Sequence, residues 1–429
     1  MGYRMSTVAA VEPRAAAPDH VRVPEPNLTR EDLIARAVAL RPKLRDLQDE
    51  HAAAGTYSTE LHDEFRKAGF YRITIPRMFG GYEFDLPTYF KTMLEVARGD
   101  PGVGWCLALG SSHGYLIASH WSERAQRELF GPDGHFAAAH RALPGGTATP
   151  VDGGYRISGR WNYCSGIPHA THFVCTAKLP EEPGSAPKFL AVVIPKGKFR
   201  ILPDWGGDQT PGMQASGSNS VEVTDVFIPD YYAVPWLALF ASPEGMEHGT
   251  AGTRLHNNPM YLGRLMGPYH ATLVAVITGA AWAAIDEYER FIKSAKVYME
   301  PNTLRADHQD SVRALGLAMA KADAAEGVLI NAMQRYMELC ARWGRDRTPI
   351  SIEDNFRLWA MIQQGGRLAC DVVEKLLHAA GASQTRKGSR LWRYFCDVQM
   401  YRTHSSVGEE FPTYAARAHL GRPIGFRGL

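Results

Sequence analysis

Apolar positions change their spacing twice along this chain, and the two changes divide it into three parts. From Leu33 to about Glu128 the spacing is helical. Ser58 can cap a helix that carries Leu61 and Phe65 four apart, and Gly69 supplies the left-handed residue that ends it. A second helix follows Pro87, with Phe90, Leu94 and Ala97 on one face and Gly99-Asp100-Pro101 as its stop. Near Thr147 the period drops to two. After the Asp152-Gly153 turn, Tyr155, Ile157, Gly159, Trp161 and Tyr163 alternate with Arg156, Ser158, Arg160 and Asn162, the pattern of a half-buried strand. Strand-like runs follow at 171–177, 189–194 and 220–228, separated by Pro and Gly clusters. No helical pattern interrupts them, which argues against a sheet of β-α-β units.

Beyond Met266 threes and fours return. Val312, Leu315, Met319, Ala322, Leu329, Met333, Tyr336, Cys340 and Trp343 form one stripe, broken by Glu326. Phe356, Trp359, Ile362, Ala369, Val373 and Leu376 form a second, stopped by Gly381. Seams of this kind predict an antiparallel bundle. The expected organisation is α+β: a disordered N-terminal arm (1–28), a helical domain (29–136), a central β domain (137–240), a linker (241–265) and a helix bundle with its tail (266–429).

Composition narrows the function classes. The 429 residues carry a formal net charge of +2, with 45% hydrophobic and 21% charged residues, so there is no electrostatic case for nucleic acid or an anionic membrane surface. Six cysteines, Cys106, Cys164, Cys175, Cys340, Cys370 and Cys396, include no Cys-x-x-Cys pair. That spacing predicts neither a zinc site nor a disulfide framework, and fits a reducing cytoplasm. The most apolar window, 273–285, is shorter than a bilayer span of ~20 residues and reads as a buried helix. Met1-Gly2 with Ser6 matches a myristoylation pattern, but the first 28 residues lack the apolar core of a signal peptide.

Three stretches carry candidate chemistry. Gly102-x-Gly104 is followed by Leu107 where a dinucleotide fingerprint needs glycine, so nicotinamide binding in the Rossmann manner is not expected. A His-Glu-x-x-His zinc helix is absent too, and no metal is expected. Gly110-Ser111-Ser112-His113-Gly114 matches the Gly-x-Ser-x-Gly nucleophile elbow, which opens a serine-hydrolase alternative through Ser112. Its helical surroundings are wrong for that motif, and the pair could instead cap a helix or line a pocket. Ser165 beside Gly166, after Trp161-Asn162-Tyr163-Cys164, would let a planar ligand approach the backbone with a hydroxyl free to donate. His404, in Tyr401-Arg402-Thr403-His404-Ser405-Ser406, has the side chain suited to moving a proton near neutrality, with Glu409 and Glu410 as alternative bases. Trp105, Tyr115, Tyr163, Trp236 and Trp282 could stack on a ring.

Taken together, these pieces resemble the acyl-CoA dehydrogenase superfamily, and within it the two-component flavin monooxygenases that include oxygenases of phenols and dibenzothiophene. The resemblance covers Leu33 to Phe426 and rests on Pro76-Arg77-Met78-Phe79-Gly80-Gly81, on Asp152 to Gly166, on Gly212 to Pro229 and on Trp392 to His404. It implies a helical N-terminal domain, a central β-barrel or sandwich and a C-terminal four-helix bundle. Reduced FMN or FAD and molecular oxygen are the implied cofactor and co-substrate, with hydroxylation of a small, aromatic substrate through a flavin C4a-hydroperoxide. An NAD(P)H:flavin reductase would supply the flavin by diffusion, and the enzyme would be a homotetramer.

On this resemblance His404, Ser165 and one of Ser112 and His113 are catalytic, while Trp161, Cys164, Gly166, Ser218 and Arg393 join Ser165 in holding the cofactor. Lys293 or Lys296 stands where a flavin-phosphate arginine is found. Some relatives carry a serine where this chain reads Ala137-Ala138-Ala139-His140. An acyl-CoA dehydrogenase with bound FAD is the alternative, but its glutamate base is replaced by the region of His404, leaving Glu409 as a displaced substitute. An N- or S-oxygenase of the same fold is a further alternative.

Overall fold

The structure, a computed structural model, describes residues 20–181, 183–241, 243–263 and 266–425. Most of the expected N-terminal arm, including Met1-Gly2 and Ser6, lies outside the described residues. Six helices come first: α1 (Arg30–Asp46), α2 (Gln48–Ala54), α3 (Thr59–Lys67), α4 (Leu86–Gly99), α5 (Pro101–His120) and α6 (Glu123–Phe130). Ser58 caps α3 by accepting from the Leu61 N–H, and Gly69 lies at φ +89° just past its end. Asp100 stops α4 and at once caps α5, its carboxylate accepting from the N–H groups of Gly102 and Val103. One residue serves both helix ends, its backbone N–H donating to the Val96 carbonyl of α4 and its side chain capping α5.

Seven strands follow: β1 (Ala138–Val151), β2 (Gly154–Trp161), β3 (His172–Lys178), β4 (Phe189–Pro195), β5 (Arg200–Ile201), β6 (Val221–Pro229) and β7 (Ala233–Pro235). They form one sheet in the order β5-β6-β2-β1-β3-β4-β7, antiparallel except where β1 and β3 run parallel. Period-two alternation divides its two faces. Val174, Ala191 and Val193 join the core shared with the helices, whereas Phe173, Cys175, Val192 and Ile194 build a second core on the other face. β1 is interrupted: Arg141 pairs with Cys175 and Gly146 with Ala177, so residues 142–145 bulge out opposite Thr176 alone. The indole N–H of Trp161 donates to the Thr176 carbonyl at 3.0 Å. Gly145 and Gly146 leave the room this ring needs, since a Cβ on either would meet it within 2.6 Å.

Short helices α7 (Ala238–Ala241), α8 (Pro243–His248) and α9 (Ala251–His256) occupy much of the stretch expected as a linker. The C-terminal helices are α10 (Met266–Ser294), α11 (Gln309–Asp346), α12 (Ile352–Ala380), α13 (Arg390–Arg402) and α14 (Glu410–His419). α10 packs against α4, α11, α12 and α13, so the first and last helical regions share one core. By length and composition α10 could cross a membrane, and it exceeds the short apolar window expected there. Its most apolar stretch is nevertheless 89% buried inside the protein, as a core helix must be. None of the six cysteines is joined in a disulfide among the described residues.

The α11 stripe needs correction in its first half. Val312 and Met319 are exposed, and the buried seam there runs through Ser311, Ala318, Ala322 and Ala325 before rejoining the expected Leu329, Met333, Tyr336, Cys340 and Trp343. Ala322 is buried and Leu315 packs on the core as expected, but small residues seat most of this half of the helix, so hydrophobicity alone misplaced Val312 and Met319. Glu326, the break in the stripe, accepts from Lys91 and from the Trp282 indole N–H. On α12 every expected seam residue is buried.

Leu329→Ala is expected to lower unfolding free energy by about 2–5 kcal/mol, the range for a large core side chain cut to alanine. Ser351→Ala, which removes the α12 capping box, should cost about 1 kcal/mol. Denaturant titration checks both, and a Leu329→Ala loss no larger than the cap's would contradict the seam assigned to α11.

Candidate active site

A cavity of about 310 Å³ opens where the sheet, α5, α10 and the end of α13 meet. Trp105 and Leu109 line it from α5, Tyr269 and Leu273 from α10, His140, Arg141 and Leu143 from β1, and Tyr163 and Ser165 from the turn after β2. Trp205, Met213 and Ser218 come from the loop before β6, and Met400, Thr403, His404 and Ser405 from α13 and its end. No carboxylate is among these lining residues.

The loop before β6 is held by close backbone approach. Gly212 lies against the Cys396 carbonyl of α13, where a Cβ would come within 2.4 Å. Beside it the Asp397 carboxylate accepts from the Met213 N–H at 2.6 Å. Burial pushes that carboxyl up to about 7, opposed by this same hydrogen bond. Met213 and Tyr163, both lining the cavity, sit at φ +50° and +60°, a region that side-chain-bearing residues adopt only when their surroundings force it. Tyr163 was expected to continue the alternating strand; β2 instead ends at Trp161 and the chain turns.

The turn after β2 docks on the same loop, the Cys164 N–H donating to Asn219 and the Gly166 N–H to Ser216. Gly166, at φ +83°, also passes so near α5 that a Cβ would lie 2.8 Å from the Cys106 carbonyl. This docking aligns three hydroxyls: Ser216 and Ser218 are 2.6 Å apart, and Ser218 and Ser165 are 2.7 Å apart. The Trp105 indole N–H donates to Ser165 Oγ at 3.1 Å. A hydroxyl that accepts in this way is a stronger donor to a ligand.

His404 enters from the opposite wall. It caps a short 3₁₀ turn, Ser405–Val407, that is tied to α12 by the Trp359 indole N–H donating to the Ser406 carbonyl and Gln363 donating to that of Gly408. Its Nδ1 accepts from the Ser406 N–H at 3.1 Å and lies 2.7 Å from the Ser406 hydroxyl. These bonds place the neutral ring's proton on Nε2. Burial, reinforced by the nearby Arg141 cation, holds His404 down to about 4. Near neutrality it is therefore an uncharged N–H donor.

Ser112 and His113 lie in the interior of α5, not on a strand-to-helix turn, and so cannot form a nucleophile elbow or a helix cap. Both line a small space of about 20 Å³ beside the main cavity. His113 Nδ1 donates to the Ala138 carbonyl at 2.7 Å, and its ring meets His140 edge to face at 5.1 Å. His140, which unlike His113 lines the main cavity, is 8% exposed, and among the described residues neither of its ring nitrogens has a hydrogen-bond partner. Sequence reasoning passed over His140 and Arg141; Pro144-Gly145-Gly146 within a strand-like run was the available sign of a bulge beside a site.

Other expected site residues stand away from the cavity lining. Trp161 supports the β1 bulge, and the Cys164 thiol donates to the Trp161 carbonyl. Lys293 pairs with Glu289 on the surface of α10, Lys296 is exposed, and Arg393 pairs with Asp49. Glu409 is 88% exposed and pairs with Arg367, leaving the cavity without a carboxylate base. Of the candidate stacking aromatics, Trp105 and Tyr163 line the cavity; Tyr115 donates to the Met260 carbonyl and Trp282 to Glu326.

The Acyl-CoA dehydrogenase N-terminal domain model matches residues 35–133, and the Acyl-CoA dehydrogenase C-terminal domain model matches residues 271–409. The chain is 28% identical over 389 residues to the pigment production hydroxylase of Rhodococcus sp. (strain ATCC 21145), covering 88% of this chain and 93% of that protein. It is 27% identical over 379 residues to the flavin-dependent monooxygenase oxygenase subunit HsaA of Rhodococcus jostii (strain RHA1), covering 87% and 94%. In three dimensions it is similar to the HsaA monooxygenase from M. tuberculosis, with a TM-score of 0.82 at 22% identity over 94% of this chain and 100% of that one. XiaF from Streptomyces sp., solved in complex with FADH2 and glycerol, gives a TM-score of 0.82 at 20% identity over 93% and 98%. With its helix-sheet-bundle order and matches at both ends, the chain belongs to the acyl-CoA dehydrogenase family.

Proposed function

We propose that this chain is the oxygenase component of a two-component flavin-dependent monooxygenase that hydroxylates a small aromatic substrate. The observation that carries the reading is a cavity with a neutral histidine donor and a serine chain but no carboxylate. Dehydrogenation of an acyl-CoA requires a base for the α-proton, and no lining residue supplies a carboxylate for it.

The residues present fit a flavin. A flat ring with one polar edge needs apolar and aromatic walls, here Trp105, Leu109, Met213 and Met400, and a few fixed donors, here Ser165 with its partner Ser218. Bound reduced flavin supplies the two electrons with which one oxygen atom goes to the substrate and the other to water. Ser165 Oγ, accepting from Trp105, donates its proton to the ligand's polar edge. His404 holds a proton at Nε2 for the developing oxygen charge, while Trp105, Leu109, Leu273 and Met400 keep water out.

Relatives support a phenolic substrate: a p-hydroxyphenylacetate 3-hydroxylase of Acinetobacter baumannii and a resorcinol hydroxylase of Rhizobium sp. (strain MTP-10005) are similar over 79% and 78% of the chain. As an oxygenase component it would draw reduced FMN or FAD from a separate reductase. Cysteines held as thiols support a cytoplasmic site, and the exposed Val312, Leu317 and Met319 of α11 support association of copies into a homotetramer.

Stopped-flow absorbance tests the reading. Reduced FMN or FAD held anaerobically with the protein and mixed with oxygen should reoxidise in resolved phases, unlike free flavin. Ser165→Ala and His404→Ala should each change the slower phase by about tenfold to a hundredfold, as expected for loss of a hydrogen bond to a charged group. Reoxidation identical to free flavin, or reduction of bound FAD by an acyl-CoA, would sink it. Ser112 should not take up a fluorophosphonate.

A second expectation concerns pH. Burial holds His62, His113, His169, His256 and His404 down to about 4, His270 to about 3 and His140 well below its ordinary 6.5. The unfolded chain takes up protons at these rings near 6.5 while the folded chain does not, so their stability contribution is present above that pH and lost as pH falls towards 4. Thermal midpoints measured from pH 8 down to 4 should fall steeply below about 6.5; a flat profile there would show that the rings are not buried neutral.

A further inference from the structure

Arg141 is the one charged side chain that lines the cavity, and it makes no ion pair among the described residues. Its guanidinium lies 6.0 Å from the centre of the Tyr163 ring, a contact that leaves its N–H groups available. The neighbouring His140, nine-tenths buried, offers one donor and one acceptor that nothing among the described residues satisfies. Burying an imidazole without partners is costly, and Arg141, partly exposed, has its charge open to a ligand. One ligand group serves both: an anion that accepts from Arg141 and from a His140 N–H. The β1 bulge has built this pair into the wall, since residues 142–145 leave the ladder immediately after Arg141. Aromatic and apolar neighbours, Tyr163, Tyr269 and Leu143, surround the pair, and no carboxylate competes for it.

We infer that Arg141 and His140 form a receptor for a carboxylate on the aromatic substrate, which makes the preferred substrates aromatic acids. This rests on the proposed function for the reaction, while the receptor itself is a property of the cavity. The remaining source of negative charge in the same space is the reduced flavin, and the test separates the two.

Dissociation constants are measured by equilibrium dialysis on the full-length protein, without flavin and with anaerobic reduced FMN, for benzoate, salicylate and phenylacetate against benzamide, salicylamide and phenylacetamide. At least one acid is expected to bind about tenfold or more tightly than its amide, as for a charge-assisted hydrogen-bonded pair. In Arg141→Gln that preference should fall to about one, in Arg141→Lys it should survive in part, and in His140→Phe it should weaken. Equal binding of every acid and its amide by the unaltered protein overturns the inference without recourse to any variant. So does an Arg141→Gln protein that keeps the acid preference but loses affinity for reduced FMN, because the guanidinium then serves the flavin. An acid preference in a protein whose flavin reoxidation is that of free flavin keeps the receptor and discards the monooxygenase; normal flavin chemistry without the preference does the reverse.

Discussion

Everything at the cavity depends on one backbone contact between the sheet and the last long helices. Gly212 packs on the Cys396 carbonyl with no room for a side chain, and Asp397 binds the next N–H. A carboxyl buried deeply enough to be pushed up to about 7 is an expensive way to hold a loop. Its advantage is direction: a short bond to a fixed N–H orients Met213 and, through the following turn, Ser216 and Ser218. The serine chain then meets Ser165, while the same helix delivers His404 from its far end. Sheet and bundle are thereby locked in the one relation that makes the cavity.

The wall opposite is shaped by a defect in the ladder. Parallel pairing of β1 with β3 proceeds regularly to Arg141, fails for residues 142–145 and resumes at Gly146. Trp161 donates to the β3 carbonyl opposite the gap, and the paired glycines accept its ring. This large buried residue acts on the site by supporting the backbone that carries His140 and Arg141.

Long elements with strong periodicity were readable from residue spacing: α3, α4 and α12, and the runs that became β2, β3, β4 and β6. Each has a cap, a glycine stop, a clean alternation as in β2, or, for β3 and β4, a short apolar run bounded by turn residues. Val312 and Met319 of α11 were misread because Ser311, Ala318 and Ala325 seat that half of the helix, and small residues register weakly on any hydrophobic scale. The glycine beside Ser165 and the chemistry of His404 made those two visible. His140 and Arg141 were not, because their placement follows from a mismatch between two strands far apart in the chain. Lys293 and Lys296 were named only on the resemblance, and of the two Lys293 pairs with Glu289 on the α10 surface.

The burial of α10 has a consequence for how the molecule is made. Its partner α4 is synthesised long before it, with the whole sheet in between, and the apolar residues of α4 and α5 complete their core only on α10. A chain emerging from the ribosome therefore carries an uncovered apolar surface throughout synthesis of the sheet. Closure of such a long loop is slow, and exposed surface of this kind promotes aggregation. Whatever shields that surface during translation therefore acts on the yield of folded protein separately from the stability of the finished fold.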